Sequence, residues 1–182
     1  YQRLLNKYNF MFLIQRNIID NMIAEKRDEN GNFYYENYDK TSINSLETNL
    51  GIKFDIFNID LAYNFTRITD EIEYKRLPNI SEHMFNLSIL TDIIYANQKI
   101  SISGNINYHG EKTIVAPTSE TETFVPAYSQ VNISAIFKNI ISKNINFKMG
   151  INNLSDYKNF DDTTFQNPGI TYITEISYKY DF

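Results

Sequence analysis

Several features that are common in folded domains are missing from this sequence. Cysteine is absent from all 182 residues, which excludes disulfide bonds and thiolate metal sites. The longest apolar clusters, such as Phe10–Ile14, are far shorter than the roughly 20 residues that a membrane-spanning helix needs. The mean hydropathy is −0.40, so the chain is polar on average. Positive charge is also scarce: the net charge of −5 argues against nucleic acid as a partner.

The beginning of the sequence lacks the features of a secreted precursor. It has no initiator methionine, no basic leader and no short apolar segment of the kind found in a signal peptide. We therefore expect the chain to be either a mature product or a piece of a longer protein.

Aromatic residues are abundant by contrast. They make up 15% of the chain, as 14 Tyr and 13 Phe. Between Ile170 and Phe182 the even positions are nearly all aromatic or aliphatic, and the odd positions are nearly all polar. A period of two predicts a β-strand with one apolar and one polar face. Strands of transmembrane β-barrels have this pattern because one face meets lipid and the other meets the lumen.

The same alternation recurs seven more times, which predicts eight strands and no helix. Each predicted strand is about ten residues long, the length that crosses a membrane as a tilted strand. The predicted fold is an all-β, antiparallel, up-and-down transmembrane β-barrel. The seven other segments lie at 8–15, 45–54, 59–66, 85–93, 99–109, 131–138 and 145–152.

The connections between predicted strands alternate between short and long. Short turns on one rim and long loops on the other are typical of the periplasmic and extracellular sides of outer-membrane barrels. The long loops carry most of the glycine, proline and acidic residues, as a surface exposed to the medium would. Short connections are expected around 55–58, 95–98 and 139–144, and long ones around 24–38, 70–82, 110–127 and 155–169.

A soluble antiparallel β-sandwich would show the same alternation and is the main competing interpretation. The membrane barrel is favoured by tyrosines on the apolar faces near strand ends, among them Tyr63, Tyr108 and Tyr178. Such rings form girdles at membrane–water interfaces.

Two stretches near the carboxyl end resemble the C-terminal signature of TonB-dependent outer-membrane receptors. One is Gly150–Asp156, which ends the penultimate strand, and the other is Asn167–Tyr172, which leads into the last strand. The sequence departs from the family pattern at Ser155, where Phe is usual, and at Ile170, where Arg is usual. The positions that carry the signature are Gly150, Asn152, Asn153, Leu154, Asp156, Pro168, Gly169, Tyr172 and Phe182.

Segments further upstream, at 12–51 and 77–84, are also similar to stretches of that family. The resemblance implies a plugged barrel of about 22 strands. Residues 1–182 would be the C-terminal segment of that barrel, about its last third, and the plug domain would be absent from this chain. The alternative is that the eight strands close on themselves as a complete small outer-membrane barrel with a structural or adhesion role.

No catalytic constellation is evident, so the chain is not expected to be an enzyme or to hold a cofactor. The only histidines are His83 and His109, and neither a nucleophile elbow nor an H-E-x-x-H spacing is present. Both histidines are expected to form hydrogen bonds at the lumen or rim rather than to bind metal. Carboxylates of the loops are of the type that binds hard cations. A solvated surface is nevertheless the expected role of Glu120, Glu122, Asp161 and Asp162.

The resemblance also implies a function and partners. The intact receptor would lie in the Gram-negative outer membrane, in contact with the lipid bilayer, and would import a scarce nutrient complex. A ferric siderophore is the first expectation, with haem or cobalamin as alternatives. The TonB energy-coupling complex would drive transport through the plug, and the barrel-insertion machinery would recognise the end at Phe182. The loop aromatics expected to contact ligand, or else to pack loop against loop, are Phe124, Tyr157, Phe160 and Phe165.

Overall fold

A computed structural model describes residues 7–27, 32–72, 80–95, 98–115, 122–139, 144–158 and 168–178. These ranges contain strands but no helix, and so no helix that could cross a membrane. Eight strands form one sheet in the order β1-β2-β3-β4-β5-β8-β9-β10, and β6 and β7 form a separate hairpin. The strands are β1 Tyr8–Arg27, β2 Phe33–Lys53, β3 Phe57–Asp70, β4 His83–Tyr95, β5 Gln98–His109, β6 Lys112–Val115, β7 Glu122–Val125, β8 Tyr128–Lys138, β9 Ile145–Asn152 and β10 Thr171–Tyr178.

Neighbouring strands pair in a register that keeps the apolar positions on one side of the sheet. All pairings are antiparallel, so the predicted all-β antiparallel fold with eight alternating strands is confirmed. A shift of one residue in any strand would break the apolar side. One row of directly opposed residues crosses all eight strands: Tyr8, Ile52, Ile59, Ile89, Gly104, Ile133, Ile151 and Tyr172.

The apolar side of the sheet is not covered by the described part of the chain. Ile133 is 45% exposed and Tyr172 is 76% exposed. Among the described residues, the hydrophobic side chains that are buried are Ile114, Val125 and Tyr128. A soluble β-sandwich would bury one face of the sheet against a second sheet, so that alternative is excluded. An open apolar face of this extent is suited to contact with lipid.

The eight-stranded sheet does not close into a complete barrel. β1 and β10 are its two edges, and no pairing joins them within the described ranges. An open edge carries unpaired backbone N–H and C=O groups, which are costly inside a membrane. The geometry therefore argues against a complete eight-stranded barrel.

The strands differ in length, and the expectation of about ten residues for each was wrong. β1 has 20 residues and β2 has 21, whereas β9 and β10 have 8 each. The expected long loop at 24–38 is largely strand. Phe33–Tyr38 pairs with Met22–Arg27, and each segment bonds the backbone groups on the facing edge of the other. The ends of β1 and β2 therefore project from the sheet as a two-stranded ribbon.

The other expected connections follow the predicted alternation. Short connections follow β2, β4 and β8 at one end of the sheet, which we call the turn rim. Long connections follow β3, β5 and β9 at the opposite end, which we call the loop rim. The connection after β5 contains the β6–β7 hairpin, which the sequence pattern did not indicate.

Candidate functional site on the polar face

The polar face carries a ladder of asparagine side chains that crosses β4, β5 and β8. Asn86 Nδ2 donates to Asn107 Oδ1 at 2.5 Å, and Asn107 Nδ2 donates to Asn105 Oδ1 at 2.5 Å. Asn132 Nδ2 donates to the same oxygen of Asn105 at 3.4 Å. A primary amide both donates and accepts, so these side chains bond one another without any ionised group. The ladder gives this part of the polar face a neutral hydrogen-bonding surface.

The ladder ends at Asn153, a buried residue that organises the connection after β9. Its backbone N–H donates to Asn132 Oδ1 at 2.9 Å, and its φ of 54° is left-handed. Its side-chain amide donates to the carbonyls of Tyr157 and Pro168, each at 2.8 Å. Its Oδ1 accepts from the Tyr157 N–H at 3.0 Å and from the Ser155 hydroxyl at 3.1 Å. Asparagine suits this position because it tolerates left-handed backbone and bonds nearby backbone groups.

Asp156 clamps the two ends of the same connection together. Its Oδ1 accepts the N–H of Ile170 at 3.1 Å, and its Oδ2 lies 3.2 Å from Lys158 Nζ. Gly169 lies against both side chains, so that a Cβ at this position would meet Lys158 and Asp156. The Lys158 ammonium first, and the Ile170 N–H second, hold the pKa of Asp156 below its usual value.

The clamp is expected to weaken in acid. A carboxyl group whose pKa is lower in the folded state contributes stability that is present above its unfolded pKa, about 3.9. That contribution is lost as the pH falls through the lower folded pKa. Hydrogen exchange of the Ile170 amide should therefore accelerate in this pH range relative to the Leu154 amide, which donates to Val131 O at 2.8 Å. Asp156→Asn should remove this pH dependence; an unchanged profile in that variant would contradict the prediction.

Three rings at the loop rim attach the same connection to the sheet. His109 and Tyr128 are directly opposed on β5 and β8, with ring centroids 4.8 Å apart and planes 12° from parallel. Tyr128 and Tyr157 are closer still, with centroids 3.9 Å apart and planes 6° from parallel. Tyr128 is only 6% exposed. Stacked aromatic rings contribute beyond the area that they bury, so the stack fixes Tyr157 against the wall of the sheet.

The other histidine, His83, lies on the apolar face at the loop rim. Its Nδ1 is 2.9 Å from the hydroxyl of Tyr63, and its ring centroid is 5.2 Å from that of Phe65. A rim hydrogen bond is thus present for His83, whereas ring stacking is the contact that positions His109. Within the described ranges, no three His, Asp or Glu side chains gather as potential metal ligands.

Gly150 and Leu154 of the predicted signature take part in the packing of β9 against β8. A Cβ on Gly150 would lie 3.1 Å from Ser134 Cβ and 3.2 Å from Ile133 O, so glycine permits close approach of the strands. The Leu154 N–H extends the pairing of the two strands by bonding Val131 O.

The remaining predicted residues are spread along the end of the chain and the loop rim. Asn152 lies in β9 opposite Thr171, and Tyr172 lies in β10 on the apolar face. Phe124, an expected ligand contact, is in β7 and is 62% exposed. Phe160, Phe165 and Phe182 lie outside the described residues, as do Glu120, Asp161 and Asp162.

Sequence reasoning missed the residues that connect the signature to the sheet. Tyr128 lies outside the predicted strands and motifs, and the alternation alone does not distinguish Asn105 and Asn132 from the other polar positions. The repeat of asparagine at Asn105 and Asn107, on one face of one strand, was the available signal for the ladder.

A shallow recess opens at the turn rim. Its volume is ≈ 410 Å³, and its lining includes Lys7, Asn9, Lys53 and Asp60. A Cβ on Gly51 would lie 3.1 Å from Asp60 Oδ1, so the glycine helps to keep the recess open.

Comparison with known proteins identifies the same fold. Residues 16–154 match the family model described as TonB dependent receptor-like, beta-barrel. The siderophore receptor PirA from Acinetobacter baumannii superposes with a TM-score of 0.74 and 17% identity over 95% of this chain. The copper transporter OprC superposes with a TM-score of 0.78 and 12% identity over 96% of this chain. For the ferripyoverdine receptor of the outer membrane of Pseudomonas aeruginosa, the TM-score is 0.71 and the identity is 14% over 94% of this chain. No curated protein sequence matches the chain.

The chain is much shorter than these proteins. It covers 30%, 29% and 25% of the length of the three solved structures in turn. At such identities the structural likeness establishes the fold alone, whereas the family model covers most of the chain.

Proposed function

The chain belongs to the TonB-dependent receptor-like β-barrel family, and from that premise we propose that it forms the C-terminal segment of an outer-membrane receptor's barrel wall. The plug domain of that receptor lies outside residues 1–182. The whole receptor imports a scarce nutrient complex, driven by the TonB energy-coupling complex acting through the plug. The barrel-insertion machinery recognises the end at Phe182. The observation that carries the proposal is the unbroken apolar row across eight strands, with polar side chains on the opposite face.

The ends of the apolar face support a position in the Gram-negative outer membrane. Towards the loop rim, β3 continues from Phe65 to Arg67 on the same face, and Arg67 Nε pairs with Glu82 Oε1 at 2.7 Å. Rings near this boundary are of the kind that forms interfacial girdles. These rings occupy a single row of opposed positions: Phe12, Tyr63, Phe85 and Tyr108.

The ligand that we propose first is a ferric siderophore. Support comes from the siderophore and ferripyoverdine receptors that share the fold. OprC is named a copper transporter, so the same fold serves other cargo, and haem and cobalamin stay as alternatives. Of the two expected loop contacts that the structure describes, Phe124 is the more suitable because its ring is exposed. Tyr157 is engaged with Tyr128, which supports a loop-packing role.

An uptake experiment with the intact receptor tests this function. Cells that lack the receptor and complemented cells are compared for uptake of radioactive iron from a ferric hydroxamate, a ferric catecholate and haem, and for uptake of cyanocobalamin. We expect the complemented cells to accumulate one of these probes faster, and a protonophore to abolish the difference. Equal uptake of every probe by both strains would contradict the proposed function.

Phe124→Ala is expected to weaken capture of the probe that is taken up. The half-saturation concentration should rise about tenfold, which corresponds to about 1.4 kcal/mol of binding free energy. Thr113→Ala is the matched control because Thr113 lies directly opposite Phe124 in the β6–β7 hairpin. An unchanged half-saturation concentration for Phe124→Ala, at equal surface amount, would remove this residue from the ligand site.

A further inference from the structure

The apolar face of the sheet carries charge at one end only. Below the β1–β2 ribbon, its lysine and arginines are Arg16 in β1, Lys40 in β2 and Arg67 in β3, and all of them lie at the loop rim. Lys40 is directly opposed to Asp20, so that pair has no net charge. At the turn rim, the described strand residues on this face are uncharged. A cation that only extends towards water would suit either rim, so placement at one rim indicates a partner there.

Arg16, Asn44 and Arg67 form one row of directly opposed residues across β1, β2 and β3. We call them the arginine row. Neighbouring strands are about 4.8 Å apart, so the backbones of the two arginines are about 10 Å apart. The Arg16 side chain extends over β2, since its Nη2 lies 3.6 Å from Oε1 of Glu71, which follows β3. Ser42, the next residue of β2 on this face, is only 2% exposed, as expected beneath that side chain. Both guanidinium groups can therefore reach a ligand above Asn44.

Most hydrogen-bond donors of the arginine row are not used by the protein. Glu82 accepts from Nε and Nη2 of Arg67, at 2.7 and 3.1 Å, which leaves Nη1 available. The distance of 3.6 Å between Arg16 and Glu71 is too long for a hydrogen bond. The side-chain amide of Asn44 bonds no other residue in the part of the chain that the structure describes. The Arg16 and Arg67 side chains are 62% and 53% exposed, so these donors face outward.

Arg67 is held in place for binding from outside. The Glu82 side chain that bonds it is only 9% exposed, so this carboxylate lies on the protein side of the guanidinium. The guanidinium carbon of Arg67 is also 5.6 Å from the centroid of the Phe65 ring. A side chain that is already ordered loses less conformational entropy when a ligand binds.

We infer that the arginine row binds a phosphate group of lipopolysaccharide, the phosphorylated glycolipid of the outer leaflet. The inference rests on the proposed function, because that function puts the loop rim at the outer leaflet. The row continues the apolar face, so acyl chains would lie along Ile14, Leu46 and Phe65, and the headgroup at the arginines. Guanidinium groups match the geometry of phosphate oxygens and bind them with charge-assisted hydrogen bonds. Phospholipids of the inner leaflet meet the turn rim, where this face offers no such donors.

Binding of fluorescent lipopolysaccharide to the purified intact receptor in detergent tests the inference. Arg16→Gln removes a guanidinium that makes no hydrogen bond within the described chain, so the fold should tolerate it. Loss of one charge-assisted contact should weaken binding about tenfold. Adding Arg67→Gln should weaken binding further, to about a hundredfold in total if the two contacts are independent. Chemically dephosphorylated lipopolysaccharide should bind the unaltered receptor as weakly as the double variant binds the intact lipid.

The matched control removes the same charge from the other face. Lys138→Gln with Lys148→Gln eliminates two cations from the polar face of β8 and β9, and it should leave binding of lipopolysaccharide unchanged. Heat-modifiability on gels verifies that each variant is assembled.

Four outcomes would overturn the inference. The first is equal affinity of the unaltered receptor and the double glutamine variant. The second is an equal loss in the polar-face control, which would indicate nonspecific attraction by the net charge. The third is equal binding of phosphorylated and dephosphorylated lipopolysaccharide. The fourth is displacement of lipopolysaccharide by an equimolar amount of inorganic phosphate or phosphatidylglycerol, which would assign the row to a small anion or to phospholipid. Each leaves the uptake experiment standing, so failure of the inference is distinguishable from failure of the proposed function.

Discussion

Ile89→Arg in the intact receptor is expected to destabilise membrane assembly by about 2–4 kcal/mol, because the guanidinium would face the lipid near the midplane. Ile89 belongs to the apolar row that crosses all eight strands, and its side chain is 42% exposed. Folded barrels keep a compact form in SDS until they are heated. The loss of stability is therefore measured on gels of unheated receptor. The fraction that migrates in the compact form is followed as the urea concentration rises.

Ser88→Arg is the matched control, because Ser88 precedes Ile89 on the same strand and faces the other side. It lies between Asp60 and Asn105 in the sheet, where an added cation meets a carboxylate and an amide. The same substitution should therefore change assembly by less than about 1 kcal/mol. Equal losses at the two positions would show that lipid does not contact one face selectively.

The two faces of the sheet could be predicted because a period of two is a local property of the sequence. Each strand carries its own alternation, and the register must keep the apolar side chains of neighbouring strands on the same face. This requirement aligns Ile59, Ile89 and Ile133. The order of the strands follows equally directly, since short and long connections alternate along the chain.

The lengths of β1 and β2 could not be predicted in the same way. Their distal halves contain Asn21, Glu36 and Asp39, residues that are poor strand formers when considered singly. Asn21 has a left-handed φ of 58°, and the pairing skips both it and Asp39 before it resumes. Extended structure there depends on each strand supplying the hydrogen bonds of the other, which no single segment reveals.

The candidate site was predicted in part. Resemblance alone marked Asn153 and Asp156, but their contacts depend on left-handed φ values of 54° and 52° that a sequence does not display. The ring stack unites His109, Tyr128 and Tyr157, which are far apart along the chain. The facing pair of lysines could not be seen without the register, because Lys99 and Lys138 oppose each other only once β5 is known to pair with β8.

Asn153→Ala is the second substitution with a large expected effect, a loss of about 2–4 kcal/mol in the free energy of unfolding of the intact receptor. The change removes the side chain that bonds the backbone of Tyr157 at both N–H and carbonyl. It also removes the bond to the carbonyl of Pro168, 15 residues away. Each such hydrogen bond contributes about 1 kcal/mol net, and the abandoned backbone groups add a cost where water does not reach them. Urea titration of the purified receptor in detergent measures the loss.

Two further variants divide this loss into its causes. Asn153→Gly accepts the left-handed backbone but lacks the amide, so it should be more stable than Asn153→Ala by about 1 kcal/mol. Leu154→Ala retains the backbone bond to Val131 O at a side chain that is 43% exposed, and it should cost less than about 1 kcal/mol. If Asn153→Ala proves no worse than Leu154→Ala, the hydrogen bonds of Asn153 do not hold the connection after β9. If the alanine and glycine variants are equally stable, the left-handed backbone contributes nothing to the loss of stability in Asn153→Ala.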